Sequence, residues 1–273
     1  MSFLGRFNNL QKQFESFIII CRDLLKESKF AEQTRNYLDS RVSDTIVQNK
    51  YEFGYFPDDD NLQLLLNDDL SEEDFKQMKL MYNIIVSGGN VLKGHFSEHN
   101  LVFPIRDLHG NIVSFMGRSI LSSEELADKK YQKYKYLSNI ISKKEQNVFG
   151  LNFAKDDIIK KNCVICVEGQ FDCISMHAAG ITNVVAVGGS NLSIYQFFQI
   201  YRYTKNIILM FDNDIAGNNA KNKICNKFKT FGVNIKSASG PKDWKDMDSF
   251  LHSGDEEYKR IVIENIRSLF LET

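Results

Sequence analysis

The chain has almost no net charge: 34 basic residues against 35 acidic ones leave −1 at pH 7. A global basic field is therefore excluded, and any grip on a polyanion must come from cations gathered locally. Long hydrophobic runs are missing too. Phe17 to Cys21 is apolar but far shorter than the roughly 20 residues that span a bilayer, and no leader-like segment, repeat or low-complexity tract is visible. No membrane partner is expected. Cysteine is sparse and odd in number, at five. That argues against a disulfide framework and points to a reducing, cytoplasmic setting. Only Cys163 and Cys166 have CxxC spacing, and no second Cys or Cys/His pair accompanies them. Their apolar surroundings read as a buried strand, so no zinc site is expected. His95, His99, His109, His177 and His252 show no ligand spacing either.

What is present is a hydrophobic fraction of 43% over 273 residues, ordinary for a globular protein and enough for one large domain or two small ones. The most informative stretch runs from Cys163 to Gly217. The apolar, β-branched run Cys163 to Val167 stops in Glu168-Gly169. Gln170 to Ala179 reads as a helix ended by Gly180. A second apolar run, Val184 to Val187, stops in Gly188-Gly189. A third, Ile207 to Phe211, stops in Asp212-Asn213-Asp214, and Ala216-Gly217 open another helix. Apolar strands alternating with helices predict a parallel sheet covered on both faces. Sites in such sheets lie at the carboxyl ends of the strands, where Glu168, Asp212 and Asp214 all fall. Clustered carboxylates repel one another and raise each other's pKa unless a cation compensates them. An all-oxygen donor set suits Mg²⁺, which keeps coordination positions open for phosphates. Asp172, four residues after Glu168, faces the same way on the first helical turn.

This ordered set resembles the Toprim domain shared by DnaG-type primases, topoisomerases, RecR-like repair proteins and some nucleases. Its Glu-Gly motif is matched by Glu168-Gly169 and its Asp-x-Asp motif by Asp212-Asn213-Asp214. Upstream, Leu101 to Gly117 predicts a hairpin around His109-Gly110-Asn111. Phe103-Pro104-Ile105-Arg106-Asp107, Gly110, Phe115 and Gly117-Arg118 resemble the catalytic-core stretch of DnaG-type primases. So do Lys135-Tyr136-Leu137-Ser138-Asn139, Lys144 with Phe149-Gly150-Leu151, and the strand-like run Tyr51 to Pro57. The resemblance implies a Toprim-type α/β fold, a parallel sheet flanked by helices over residues 156–273. A smaller, mixed α+β, basic subdomain over residues 1–155 would precede it. It also implies RNA primer synthesis on single-stranded DNA, with Mg²⁺ or Mn²⁺ held by Glu168, Asp212 and Asp214. Asp172 would be a ligand or would orient one. A late acidic pair is implied after Gly240-Pro241: Asp246 with Asp248, or Asp243 with Asp246.

The bare charges support a nucleic-acid partner. From Lys129 to Lys144 there are six lysines and no acid, with Tyr131, Tyr134 and Tyr136 interleaved. Lysine neutralises phosphate, and tyrosine faces stack on bases. By resemblance, Arg106, Arg118, Lys133, Lys135 and Lys144 contact template or the incoming ribonucleoside triphosphate. Elsewhere, Phe14, Phe17, Ile18, Cys21, Leu24 and Leu25 form one helical stripe, and helices are also expected over Glu32 to Ser40, Leu62 to Leu66 and Glu72 to Met81. No Cys/His set supplies the zinc ribbon usual in the family. A separate template-recognition protein or a replicative helicase is therefore expected as partner, and the Asn/Lys/Ile-rich composition suggests a bacterial or phage genome. The competing readings are a Toprim-type strand-cleaving nuclease and a non-catalytic single-strand-binding homologue.

Overall fold

The computed structural model describes residues 3–61, 71, 73, 85–87, 91–138, 142–212, 214–238, 240–241, 243–244, 246–253 and 255–268. The helices expected over Leu62 to Leu66 and Glu72 to Met81 lie outside the described residues. The chain divides into two units, one of residues 1–106 and 111–141, the other of residues 107–110 and 142–273.

In the first unit, helix α1 (Phe3–Glu27) buries the stripe read from the sequence: Phe14, Phe17, Ile18 and Cys21 are almost wholly covered. They share a cluster with Phe56, Phe96, Val102 and Phe115, and Phe17 meets Phe115 edge-on at 4.9 Å. Burying each of these side chains contributes about 1.5–3 kcal/mol. Helices α2 (Glu32–Arg41) and α3 (Thr45–Tyr51) follow, the latter capped by Asp44, whose carboxylate accepts from the Ile46 N–H. Tyr51 was expected to begin a strand; it ends α3 instead. Glu52 then takes a left-handed φ of 55° and stops the helix, so β1 is only Gly54–Tyr55. Gly54 is where α1 crosses closest. A Cβ there would sit 2.6 Å from the Cys21 Cβ and 2.8 Å from its carbonyl carbon.

Strands β2 (Ile85–Ser87) and β3 (Val91–Lys93) form a separate antiparallel ladder. β4 (Leu101–Arg106) and β5 (Ile112–Arg118) are the expected hairpin. Gly110 in its turn has φ 86°, a region that costs glycine nothing. Helix α4 (Ser123–Lys129) leads to edge strand β6 (Tyr134–Tyr136), and the sheet order is β1-β4-β5-β6. β1 pairs only with Leu101 and Val102. β4 is thus open on one side by Pro104, where a missing N–H is tolerated.

The second unit is built on a four-stranded, all-parallel sheet in the order β10-β9-β7-β8. Its elements in chain order are α5 (Leu151–Lys161), β7 (Val164–Val167), α6 (Gln170–Ala178), β8 (Val184–Ala186), α7 (Ile194–Tyr201), β9 (Asn206–Leu209), α8 (Ile215–Phe228), β10 (Asn234–Ser237), α9 (Met247–Ser253) and α10 (Glu256–Ser268). Val164 and Cys166 pack in one cluster with residues of α5, α7 and α8, and Phe197 stacks on Phe228 at 4.0 Å. Ile165 and Val167 alternate to the opposite face and are equally buried. The sheet is covered on both sides, as its apolar strands require. Cys163 and Cys166 are free, buried core residues, and desolvation pushes the Cys163 thiol up to about 11.

The first subdomain was expected to run to residue 155, while the compact units divide after residue 141. Residues 142–155 fall in the second unit because Phe149 bridges Ala186 with backbone bonds of 2.9 and 3.0 Å, and Gln196 Nε2 donates to the Asn147 carbonyl. The hairpin tip, residues 107–110, joins them: Lys155 Nζ donates to the Leu108 carbonyl at 3.2 Å.

Arg106, expected at the template or nucleotide, is paired within the frame of the first unit. Its guanidinium grips Glu52 through Nε at 2.6 Å and Glu15 through Nη1 at 2.9 Å, with its side chain only 16% exposed. Desolvation weakens its charge, but the two carboxylates more than restore it, so it is held above its ordinary range. Arg106→Met should cost about 3 kcal/mol, because it strands two partly covered carboxylates. A urea melt measures the loss. Single-strand binding by the folded fraction should stay unchanged.

Candidate functional site

Parallel pairing aligns β7 with β9 so that Cys166 lies opposite Leu209. The two chains therefore leave the sheet side by side, and the residues that follow, Glu168 and Asp212, meet. The Asp212 backbone N–H donates to Glu168 Oε1 at 3.4 Å. Burial and the charge of Asp212, reinforced by Asp214 and Asp172 and opposed by that N–H, push the Glu168 carboxyl up to about 7. Asp214 is the N-cap of α8, its Oδ1 accepting from the Gly217 N–H at 2.7 Å. Gly217 has no alternative: a Cβ would lie 2.3 Å from the Asp212 carbonyl oxygen. The Asp-x-Asp turn is folded directly onto the start of the helix. Asp172 is buried, and both its oxygens are used. Oδ2 accepts from the Gly169 N–H at 3.2 Å and Oδ1 from the Asp248 N–H at 3.0 Å. It orients the Glu168-Gly169 turn and ties it to the start of α9.

Of the late acids, Asp246 caps α9 through the Ser249 N–H at 2.8 Å and is half-buried, while Asp243 is exposed. Asp248 clasps its neighbours in this structure. Its Oδ1 accepts from the buried Ser175 Oγ at 2.6 Å and lies 3.1 Å from Nε2 of the half-buried His252. A carboxylate so engaged has little left for an ion. Among the described residues, no three His, Cys, Asp or Glu side chains close to metal-holding distances. What the fold assembles is four converging acids of purely oxygen donor chemistry. Burial first, and the neighbouring acids after it, disfavour the ionised Glu168, a cost that a hard divalent cation would remove. The residues present fit such an ion.

Sequence reasoning missed Lys221. It lies on α8 and is buried, and Glu168, Asp212 and Asp214 all raise its affinity for its proton against the larger, lowering effect of desolvation. The available signal was its spacing, one helical turn after Gly217 in the helix that the Asp-x-Asp turn opens.

The expected cations separate into three environments. Lys144 sits in the second unit, at the acidic edge. Its Cε lies 3.1 Å from where a Gly188 Cβ would be, and Gly188, at φ 79°, donates its N–H to the Glu168 carbonyl at 2.9 Å. In the first unit, Lys133 is exposed, with its ammonium 5.9 Å from the Tyr134 ring centre. Lys135 is half-buried and, after burial itself, is the next cause that lowers His95 to about 4. Arg118 is not at the surface at all: only 2% exposed, it lies between the rings of Tyr37 and Tyr134 at 5.3 and 5.1 Å. It donates to the Tyr37 hydroxyl at 2.5 Å and to the Tyr134 hydroxyl. It positions Tyr134 rather than presenting a free fork to phosphate. Asn139 lies outside the described residues.

Glu168 carries a testable pH signature. Its folded pKa is raised, so the folded state resists its ionisation. Stability from this group is full near pH 4.5 and is lost as pH climbs to about 7. Glu168→Gln removes that loss. Without divalent ions the variant should be about 1–3 kcal/mol more stable than wild type near pH 8 and equal to it near pH 4. Adding Mg²⁺ should restore the wild type and not the variant. Thermal melts across pH measure both effects.

Two family descriptions match the chain: "DNA primase catalytic core, N-terminal domain" over residues 20–155 and "Toprim-like" over residues 165–251. A DNA primase of Aquifex aeolicus is 28% identical over 261 residues, covering 95% of this chain and 50% of the relative. One of Clostridium acetobutylicum is 30% identical over 237 residues, covering 85% and 37%. The chain thus spans about half the length, or less, of these relatives. Among solved structures, the zinc-binding and RNA polymerase domains of the Aquifex aeolicus primase superpose with TM-score 0.73 at 26% identity, over 94% of this chain and 60% of that one. A DnaG primase catalytic domain bound to single-stranded DNA superposes with TM-score 0.74 over 96% and 82%. Its 22% identity makes that a likeness of fold. No described helix is long and apolar enough to cross a membrane. The chain belongs to the DnaG-type DNA primases, carrying the N-terminal domain of their catalytic core joined to a Toprim domain.

Proposed function

We propose that this chain synthesises short RNA primers on single-stranded DNA, as a DNA-directed RNA polymerase. The observation that carries the proposal is the convergence of Glu168, Asp212 and Asp214 at the carboxyl end of the parallel sheet, with Glu168 raised to about 7 by its burial and its neighbours. Such an edge gathers negative charge, with a lysine, Lys144, beside Gly188 on the same rim. The relatives of known name are DNA primases.

Glu168, Asp212 and Asp214 would hold Mg²⁺ or Mn²⁺, with Asp246 at the start of α9 as the remaining late candidate. When bound, the ion lowers the charge on the triphosphate and supports in-line attack by the primer 3′-hydroxyl. Asp172 fixes the Glu168 turn, so that the carboxylate keeps its direction while its charge is being neutralised. Gly188 and Gly189, both at positive φ, leave bare backbone beside Lys144, where phosphate oxygens can approach closely. Lys144 is suited to the triphosphate as a mobile point charge. In the first unit, Lys133 and Lys135 flank Tyr134 and Tyr136 on β6, and this strand would bear the template. Arg118, by holding Tyr134 between its guanidinium and β6, sets the ring that the template meets. A replicative helicase or a template-recognition protein would be the additional partner, and the cytoplasm the place of action.

Asp212→Ala should abolish primer synthesis on mixed-sequence single-stranded templates with ribonucleotides and Mg²⁺ or Mn²⁺, while the circular dichroism spectrum stays that of wild type. Undiminished synthesis by this variant sinks the assignment. Cutting of labelled template by the wild type in the absence of nucleotides would turn it toward a nuclease.

A further inference from the structure

Ser175 has no part in the chemistry described so far, yet it is bonded to a residue that shapes the acidic edge. It lies on α6, three residues after Asp172, so the two side chains share a face of that helix. Both reach the same residue of α9. Asp172 Oδ1 accepts from the Asp248 backbone N–H at 3.0 Å, and Ser175 Oγ donates to Asp248 Oδ1 at 2.6 Å. Asp172, Ser175 and Asp248 are all buried, at 8, 5 and 4% exposure. Asp248 is thus gripped by its backbone and its side chain at once, with His252 Nε2 3.1 Å from the same oxygen.

The grip leads in two directions. Through Asp172, whose Oδ2 accepts from the Gly169 N–H at 3.2 Å, it reaches the turn that carries Glu168. Along the chain, two residues before Asp248, Asp246 caps the same helix through the Ser249 N–H at 2.8 Å. The Glu168 turn and the start of α9 are therefore set by one buried joint. Packing alone gives no reason for a hydroxyl and a carboxylate there. Replacing both partners of a buried polar bond by apolar groups of the same shape is often neutral or stabilising. What a polar joint adds is direction, because only one arrangement satisfies its donors and acceptors.

We infer that Ser175 is a positioning residue for the metal edge. Its hydroxyl holds the Asp248 carboxylate. That keeps the Asp248 N–H on Asp172, and Asp172 keeps the Glu168 turn in the direction an ion needs. Asp248 acts through these bonds and not as a ligand. The inference rests on the metal-binding reading above and goes beyond it, since it assigns a role to a side chain that touches neither ion nor substrate.

The test compares wild type, Ser175→Ala and Asp248→Asn as full chains. Mn²⁺ binding is followed by electron paramagnetic resonance, and exchange of the Gly169 amide by nuclear magnetic resonance. Ser175→Ala should fold and bind Mn²⁺ about tenfold more weakly, the usual scale for a group that orients a ligand from outside. Its Gly169 amide should exchange faster than in wild type, with or without metal. Asp248→Asn keeps an oxygen for Ser175 and the N–H for Asp172, so it should bind Mn²⁺ as wild type does. The inference is overturned if folded Ser175→Ala keeps wild-type Mn²⁺ affinity, or if that variant fails to fold, which would make the bond a support of the whole unit. It is equally overturned if Asp248→Asn loses Mn²⁺ affinity as the loss of a ligand would dictate. Should wild type itself take up no Mn²⁺, the metal-binding reading falls, while Gly169 exchange in metal-free Ser175→Ala still decides whether the serine holds the turn.

Discussion

Like charge held at close quarters is the constraint around which the second unit is arranged. Glu168, Asp212 and Asp214 would separate if the chain let them, and burial of Glu168 sharpens the conflict. The fold resists in three ways. Parallel pairing of β7 with β9 fixes where the two acidic turns leave the sheet. Backbone N–H groups of Asp212 and Gly217 supply positive dipole ends to Glu168 and Asp214. Lys221 on α8 adds a buried positive charge that the three acids favour. Asp172 then locks the first turn to α9 through Gly169 and Asp248. Strain of this kind is what a metal-binding edge must store, because a site already neutral by itself would have no use for an ion.

The first unit resolves its charges differently, by pairing some and leaving others. Arg106 is spent on Glu15 and Glu52 and serves the joint between α1, the end of α3 and β4. Arg118 is spent on two tyrosine hydroxyls and two ring faces. Guanidinium suits such work, since its flat face stacks while its edge donates. Lysine, a compact point charge on a flexible stem, is left near the surface at Lys133 and Lys135. With a net charge of −1 over the whole chain, lysines gathered beside tyrosine rings are the kind of local surface that suits a polyanion.

Much of this was legible in the residues because it rests on short-range rules. The helical stripe from Phe14 to Leu25, the hairpin about Gly110 and the buried CxxC strand follow from periodicity, turn chemistry and apolar content alone. Tyr51 failed the same kind of reading. Alternation suggested a strand, but the cap at Asp44 and the left-handed Glu52 made it the end of a helix. The late acids needed more than spacing. Spacing offered Asp246 with either Asp248 or Asp243, and only packing of α9 against α6 showed Asp248 turned inward onto Ser175, 73 residues away in sequence.

Sequence alone determined that strands would be parallel and buried, that acids would stand at their carboxyl ends, and that lysines and tyrosines would cluster between residues 129 and 144, since each depends on residue type and local order. The tertiary structure decided which charges remain available. Arg106 meets Glu15 and Glu52, 91 and 54 residues away, and Lys221 feels the charge of Glu168, brought from another strand. The physical reason is that a charge is free or spent according to what packs beside it, and neighbours so distant along the chain leave no mark in its spacing.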